Sequence, residues 1–224
     1  MKILNLGSMN LDYVYKVDHF VESAETIAAK NLMISIGGKG LNQSVAVARA
    51  GMKIYHAGII GTEGIILKKY LEDNDVDTRY IGQSDERQGH AIIQVNASGN
   101  NCIIIYGGSN RMISKEYIDK VLNDFLAGDY LLLQNEISNV GYAIDSAYKR
   151  GINVVFNASP IDERIKDIDL NKVTWLAINE VEGAAIAACL MIEEIEEILR
   201  NKYPNTGIIL TLGSRGSVCI LGNE

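Results

Sequence analysis

The sequence predicts a doubly wound α/β fold: a mostly parallel central sheet flanked by helices, with a small β-sheet lid beside it. Three observations predict it. Short apolar runs that are solid rather than alternating, Ile103–Ile105, Tyr130–Leu133, Val154–Phe156 and Ile208–Leu210, suit strands buried on both faces. The segments between them have helical spacing. Two strand-rich regions, about 13–36 and 89–106, break that alternation.

In chain order, Ile3–Leu6 is a short apolar strand, and Tyr13, Val14, Tyr15, Val17 and then Ile27 to Ile36 carry strand-like sequence before any good helix. A helix beginning near Leu41 follows Gly40, with Leu41, Val45, Ala48 and Ala50 at helical spacing. Strand–helix alternation runs from about residue 50. Around Ala97-Ser98-Gly99-Asn100, two apolar runs read as a β-hairpin with a longer loop. Ser114 is placed to N-cap a helix carrying Ile118, Val121, Leu122 and Phe125. Val140, Ala143, Ile144 and Ala147 form another apolar stripe, ended by Lys149-Arg150-Gly151. Ile192, Ile195, Ile198 and Leu199 form a third, with Glu193, Glu194, Glu196 and Glu197 facing solvent. Gly213–Gly216 turns the chain into a last strand, Ser217–Leu221. No linker, repeat or charge block divides the chain, so a single domain over 1–224 is expected, with lid segments at about 13–36 and 89–106. A sheet of this class normally continues past such a strand, so a missing C-terminal part is also expected.

Composition narrows the partners. Apolar residues make up 47% and charged residues 22% of 224, ordinary globular values that exclude disorder, collagen-like repeats and coiled coil. The net charge of −7 argues against a nucleic-acid or anionic-membrane partner, both of which need a basic face. Cys102, Cys189 and Cys219 are widely spaced and odd in number, giving no disulfide framework and pointing to the cytoplasm. The N-terminal apolar run is too short for a signal peptide, and no stretch approaches a membrane span. His19, His56 and His90 are far apart, and no Cys/His cluster has metal-ligand spacing.

Five segments could carry chemistry. Gly37-Gly38-Lys39-Gly40-Leu41-Asn42-Gln43 opens a helix with glycines that let backbone N–H groups approach an anion, and with a full positive charge on Lys39. It matches neither the Walker nor the Rossmann glycine spacing, and a plain glycine-rich helix start is the alternative. Gly7-Ser8-Met9-Asn10-Leu11-Asp12 follows the first strand, on the sheet edge where α/β folds hold ligands. Asn10 and Asp12 point to one side of extended backbone, an amide and a carboxylate suited to vicinal hydroxyls; a solvated Asx turn is equally compatible. Gln134-Asn135-Glu136 follows the strand Tyr130–Leu133, with a helix-capping glutamate as the alternative. Asn179 and Glu182 have capping-box spacing, which by itself accounts for both. Thr211-Leu212-Gly213-Ser214-Arg215-Gly216 offers backbone donors, a hydroxyl and a guanidinium to a phosphate chain, or is simply a hairpin turn.

In this order the five segments resemble the ribokinase family of sugar kinases over the whole length of the chain. The resemblance implies ATP-dependent phosphorylation of the 5-hydroxyl of D-ribose, with Mg2+ and K+. It implies that Asn10, Leu11, Asp12, Gly38, Lys39, Gly40, Leu41, Asn42 and Glu136 hold the sugar, with Lys39 holding it or neutralising the transferring phosphoryl group. It places Asn179 and Thr211, Leu212, Gly213, Ser214, Arg215 and Gly216 at the nucleotide, and Glu182 at the Mg2+ water shell. The small β layer becomes a lid over the sugar and the interface of a homodimer. The family's Gly-Ala-Gly-Asp segment, with its proton-accepting aspartate and anion hole, does not occur in 1–224. That segment and the K+ loop are expected beyond Glu224, no catalytic residue is assigned within the chain, and these residues alone are expected to be inactive. Gly61-Thr62-Glu63-Gly64 and Ala24-Glu25-Thr26 also depart from the family pattern, but at no proposed sugar contact. A kinase of another small sugar or a nucleoside, and a non-catalytic sugar-binding protein, are the competing expectations.

Overall fold

The computed structural model describes residues 1–222, without the side chains of residues 192 and 193, and divides the chain into two compact units. One comprises Met1–Leu6 with everything from Ile113 onward; the other is Gly7–Met112.

In the first unit, β1 (Ile3–Leu6), β8 (Tyr130–Gln134), β9 (Asn153–Asn157), β10 (Trp175–Asn179) and β11 (Gly207–Thr211) lie side by side and parallel. β12 (Ser217–Ile220) pairs antiparallel with β11, Ile208 opposite Ile220. The solid runs here behave as expected on their inner face: Leu131, Leu133, Val154, Phe156, Leu176, Ile208 and Leu210 are fully buried. Toward the outer strands the second face opens, and Ile209 is 38% exposed, so the Ile208–Leu210 run is not buried on both sides.

The helices of this unit follow their sequence signals. α3 (Lys115–Leu122) begins at Ser114, whose Oγ accepts the Tyr117 N–H at 3.1 Å. α4 (Val140–Lys149) buries Val140, Ala143, Ile144 and Ala147, then stops at Arg150 and at Gly151 with φ +70°. α5 (Glu180–Ala187) opens on a complete capping box between Asn179 and Glu182. α6 (Ile192–Lys202) buries Ile195 and Leu199 and exposes Glu194 and Glu197; the expected positions of the Ile192 and Glu193 side chains lie outside the described residues.

The second unit contains the parallel pair β4 (Ile54–Ile60) and β5 (Asp77–Gln83), with α1 (Lys39–Arg49) and α2 (Ile65–Glu72). Beside these is a separate four-stranded sheet in the order β3-β2-β6-β7. β2 (Asn10–Lys16) is antiparallel to β3 (Asn31–Gly37) and parallel to β6 (His90–Val95), while β6 and β7 (Asn101–Tyr106) form the expected hairpin. Mostly parallel strands with helices, plus a distinct small sheet, are the expected fold class.

Two local expectations are corrected. Ile103–Ile105 is not a buried parallel strand; it belongs to β7, an outer antiparallel strand whose every residue is exposed. A solid apolar run shows only that both faces are apolar, not what covers them. Within 13–36, residues 17–30 form no strand, and β2 starts earlier, at Asn10. The first helix also starts two residues before Leu41, so Lys39 and Gly40 are in its opening turn.

Candidate functional site

In the Gly7–Met112 unit, two segments some thirty residues apart are stitched together by one serine. The Ser8 carbonyl accepts the Leu41 N–H at 2.9 Å, and its Oγ accepts the Gly40 N–H at 3.2 Å. Two of the helix-terminal donors expected to face an anion are therefore taken by the protein itself. β2 then carries Asn10 and Asp12 on one face, opposite Gly37 and Ser35 of β3. Both glycines leading into α1 are required. A Cβ on Gly37 would lie 2.1 Å from Asp12 Oδ2, and one on Gly38 would lie 2.9 Å from both the Asn10 nitrogen and the Ser8 oxygen. Gly38 also sits at φ +98°, which a side chain would strain.

Asp12 therefore lies against the start of the glycine segment. Asn10 is buried, Asp12, Gly38 and Lys39 are half-buried, and Asn42 is exposed. Leu11 and Leu41 are buried, and their backbone N–H groups are committed to Gly89 O and Ser8 O. His56, on β4, is fully buried with its Nδ1 2.7 Å from Oγ of Ser44 on α1. Burial pushes its pKa down to about 4, against the opposing pull of the Gly7 backbone.

Sequence reasoning missed two residues here. Asn110, in the 3-10 turn Gly108–Met112, and Gln88, before β6, are both buried and hydrogen-bond the backbone of Met9. Nothing local marks them, because their partners are about 100 and 79 residues away.

In the other unit, polar residues collect at the carboxyl ends of the parallel strands. Gln134 Nε2 donates to Asn5 Oδ1 across β8 and β1, and Asn135 Nδ2 donates to Pro160 O. Glu136 is buried, 7% exposed, and α4 does not begin until Val140, so it caps no helix. A cavity of about 170 Å³ is lined by Asn157, Ser159, Asn179, Glu182 and Thr211, at the ends of β9, β10 and β11. It brings together three residues picked from sequence. Asn157 and Ser159 were not picked, although Asn157 directly follows the run Val154–Phe156 and meets the criterion that selected Glu136.

The structural reading of the Asn179 and Glu182 pair is realised. Asn179 N–H donates to Glu182 Oε2, and Glu182 N–H to Asn179 Oδ1, both at 2.9 Å. Thr211 Oγ1 donates to Ile178 O at 3.4 Å. Leu212–Gly216 is a hairpin turn with Gly213 and Gly216 at positive φ, and Arg215 pairs with Glu180. Among the described residues no group of three or more His, Cys, Asp or Glu could hold a metal ion, and no helix is long and apolar enough to cross a membrane.

The model of the pfkB family carbohydrate kinases matches residues 1–224. The ribokinase of Haemophilus influenzae is 32% identical over 220 residues, covering 94% of this chain and 72% of that protein. The crystal structure of ribokinase from Thermotoga maritima superposes with a TM-score of 0.86 at 30% identity, over 100% of this chain and 75% of that one. That of Arabidopsis thaliana ribokinase complexed with ribose and ATP gives 0.84 at 26%, with the same coverage. The chain thus spans about three quarters of these relatives. A family match from end to end, on a fold that sets an amide and a carboxylate against a glycine-rich helix start, gives the conclusion that this chain belongs to the pfkB family of carbohydrate kinases.

Proposed function

We propose that this sugar kinase of the ribokinase family phosphorylates the 5-hydroxyl of D-ribose from ATP. The observation that carries the reading is the Asp12 carboxylate lying against Gly37, with Asn10 on the same face of β2. An acceptor-only group beside an amide suits a pair of sugar hydroxyls, each of which both donates and accepts. Asn42 adds a further polar contact to the hydroxyls. Leu11, Gly40 and Leu41 fix the backbone around the sugar, Gly38 gives it close access, and Lys39 brings positive charge to the sugar or the transferring phosphoryl group. Relatives named ribokinase, one of them crystallised with ribose and ATP, support the choice of substrates.

Asn179 and the turn Thr211, Leu212, Gly213, Ser214, Arg215 and Gly216 are the proposed nucleotide contacts. There a chain of phosphates meets hydroxyls and, once released from Glu180, a guanidinium. In the reaction the 5-hydroxyl oxygen bonds to the γ-phosphorus of ATP, the bond to the β-bridging oxygen breaks, and the hydroxyl loses its proton. The proton acceptor is assigned to no residue of 1–224. Glu182 lines the 170 Å³ cavity with one oxygen committed to the cap, leaving one for a water of a hydrated Mg2+, an ion that needs few protein ligands when phosphates supply the rest. Bound there, Mg2+ would neutralise phosphate charge. K+ is proposed from the family resemblance and assigned to no residue here.

The four-stranded sheet is proposed as the lid that keeps water, a competing acceptor, away from the phosphoryl group. It is also the proposed contact of a homodimer in the cytoplasm. Calorimetric titration with D-ribose, 2-deoxyribose, fructose and adenosine, each with and without a non-hydrolysable ATP analogue, tests the assignment. Ribose is expected to bind most tightly and to be coupled to nucleotide. Preference for adenosine would overturn the sugar, and uncoupled sugar binding would favour a non-catalytic binder.

A further inference from the structure

We propose that Asn110 is a positioning residue for the sugar site: it determines which end of the Asn10 amide faces the ligand. The inference rests on the reading of Asn10 as a sugar contact. Asn110 is 1% exposed and meets Asn10 from 100 residues away. Its own orientation follows from a group that has no alternative. The Met9 backbone N–H can only donate, and it donates to Asn110 Oδ1 at 3.0 Å. Nδ2 of Asn110 therefore lies on the opposite side, where it donates to Asn10 Oδ1 at 2.7 Å and to Met9 O at 3.3 Å. Faced with a donor, Asn10 must present its oxygen inward, which directs its own Nδ2 hydrogens elsewhere. The reverse arrangement would set two NH2 groups against each other with no water to separate them.

The surroundings hold this arrangement in place. Gln88 braces Met9 from the other side: its Nε2 donates to Met9 O at 2.6 Å, and its Oε1 accepts the Gly61 N–H at 2.8 Å. The two asparagines can approach only because position 89 lacks a side chain. A Cβ on Gly89 would lie 2.1 Å from Asn110 Nδ2 and 2.7 Å from Asn10 Oδ1. The polarity of the site is thereby fixed: Asn10 offers donors, and Asp12, two residues along the same face, accepts. A hydroxyl between them takes a hydrogen bond from one and gives one to the other, so the site discriminates against an analogue that lacks it.

The test is D-ribose calorimetry on the wild-type chain, Asn10→Ala, Asn110→Ala and the double variant, with a non-hydrolysable ATP analogue titrated in parallel. Each single variant is expected to weaken ribose about tenfold. The double variant is expected to be no weaker than Asn10→Ala, because Asn110 acts only through Asn10, and nucleotide affinity is expected to be unmoved. If circular dichroism shows Asn110→Ala to be unfolded, Asn110→Asp takes its place. Aspartate still accepts the Met9 N–H but sets an oxygen against Asn10 Oδ1, so the amide turns round, and the same loss is expected, again absent on Asn10→Ala. Additive losses, wild-type affinity in the single Asn110 variant, or an equal fall in nucleotide affinity would each overturn the proposal. A wild-type chain that binds none of the sugars overturns the sugar-site reading itself, before any variant is compared.

Discussion

A fully buried imidazole, His56, makes this fold sensitive to protons. His56 has a pKa of about 4 in the folded chain against 6.5 for the free side chain. Between those values the unfolded chain binds the extra proton and the folded chain does not. Stability is therefore complete above about pH 6.5 and falls as the pH drops toward 4, by about 3 kcal/mol from this group. Denaturant unfolding at pH 7.5, 5.5 and 4.5 checks this against His56→Asn, whose stability should fall less over the same window; parallel curves would refute it. Asp12→Asn isolates the proposed ligand role instead. The half-buried carboxylate becomes a nearly isosteric amide, so the melting temperature should hold while ribose affinity falls roughly 30-fold, the loss of about 2 kcal/mol from a charge-assisted hydrogen bond. Calorimetry beside a thermal melt reads both. Asn10 and Asp12 could be picked from sequence because strand alternation is a local rule that puts i and i+2 on one face. Asn110 and Gln88 could not, since each acts on Met9 from some 80 to 100 residues away and composition records nothing of such pairings.

At the scale of the element, one pair of residues has two duties that substitution can separate. Asn179 and Glu182 close the capping box of α5, and the same side chains line the cavity at the ends of β9, β10 and β11. Asn179→Ala removes the acceptor for the Glu182 N–H and should cost about 1 kcal/mol of stability together with nucleotide affinity. Asn179→Asp caps as well as asparagine, so stability should return; the amide donor does not, so nucleotide affinity should stay low. Unfolding curves beside nucleotide titrations separate the two, and full recovery of affinity in the aspartate variant would leave Asn179 a purely structural residue. Helix boundaries such as Ser114 and Lys149-Arg150-Gly151 were legible because capping is chemistry within four residues. Ile103–Ile105 was misread because burial depends on neighbours that the run itself does not name.

For the molecule as a whole, the feature that composition hides is where its uncovered apolar surface lies. A net charge of −7 suggests a surface shielded by acids, yet the strand register sets Ile34, Tyr13, Ile92 and Ile104 in one row straight across the four-stranded sheet. Ile34 is 57% and Ile104 61% exposed, and Leu32 and Tyr106 extend the patch on the same face, opposite the one that bears Asp12. Neighbouring apolar side chains on a sheet with two open edge strands are a liability unless something covers them. A second copy of the same sheet is a self-complementary cover, because a two-fold contact needs only one patch. Ile104→Glu tests this directly: two carboxylates would be brought into a dry interface, while a free chain would carry the new charge in water. Sedimentation at micromolar concentration should find the wild type dimeric and the variant monomeric with an unchanged circular dichroism spectrum. A monomeric wild type would leave the apolar row without a partner of its own kind.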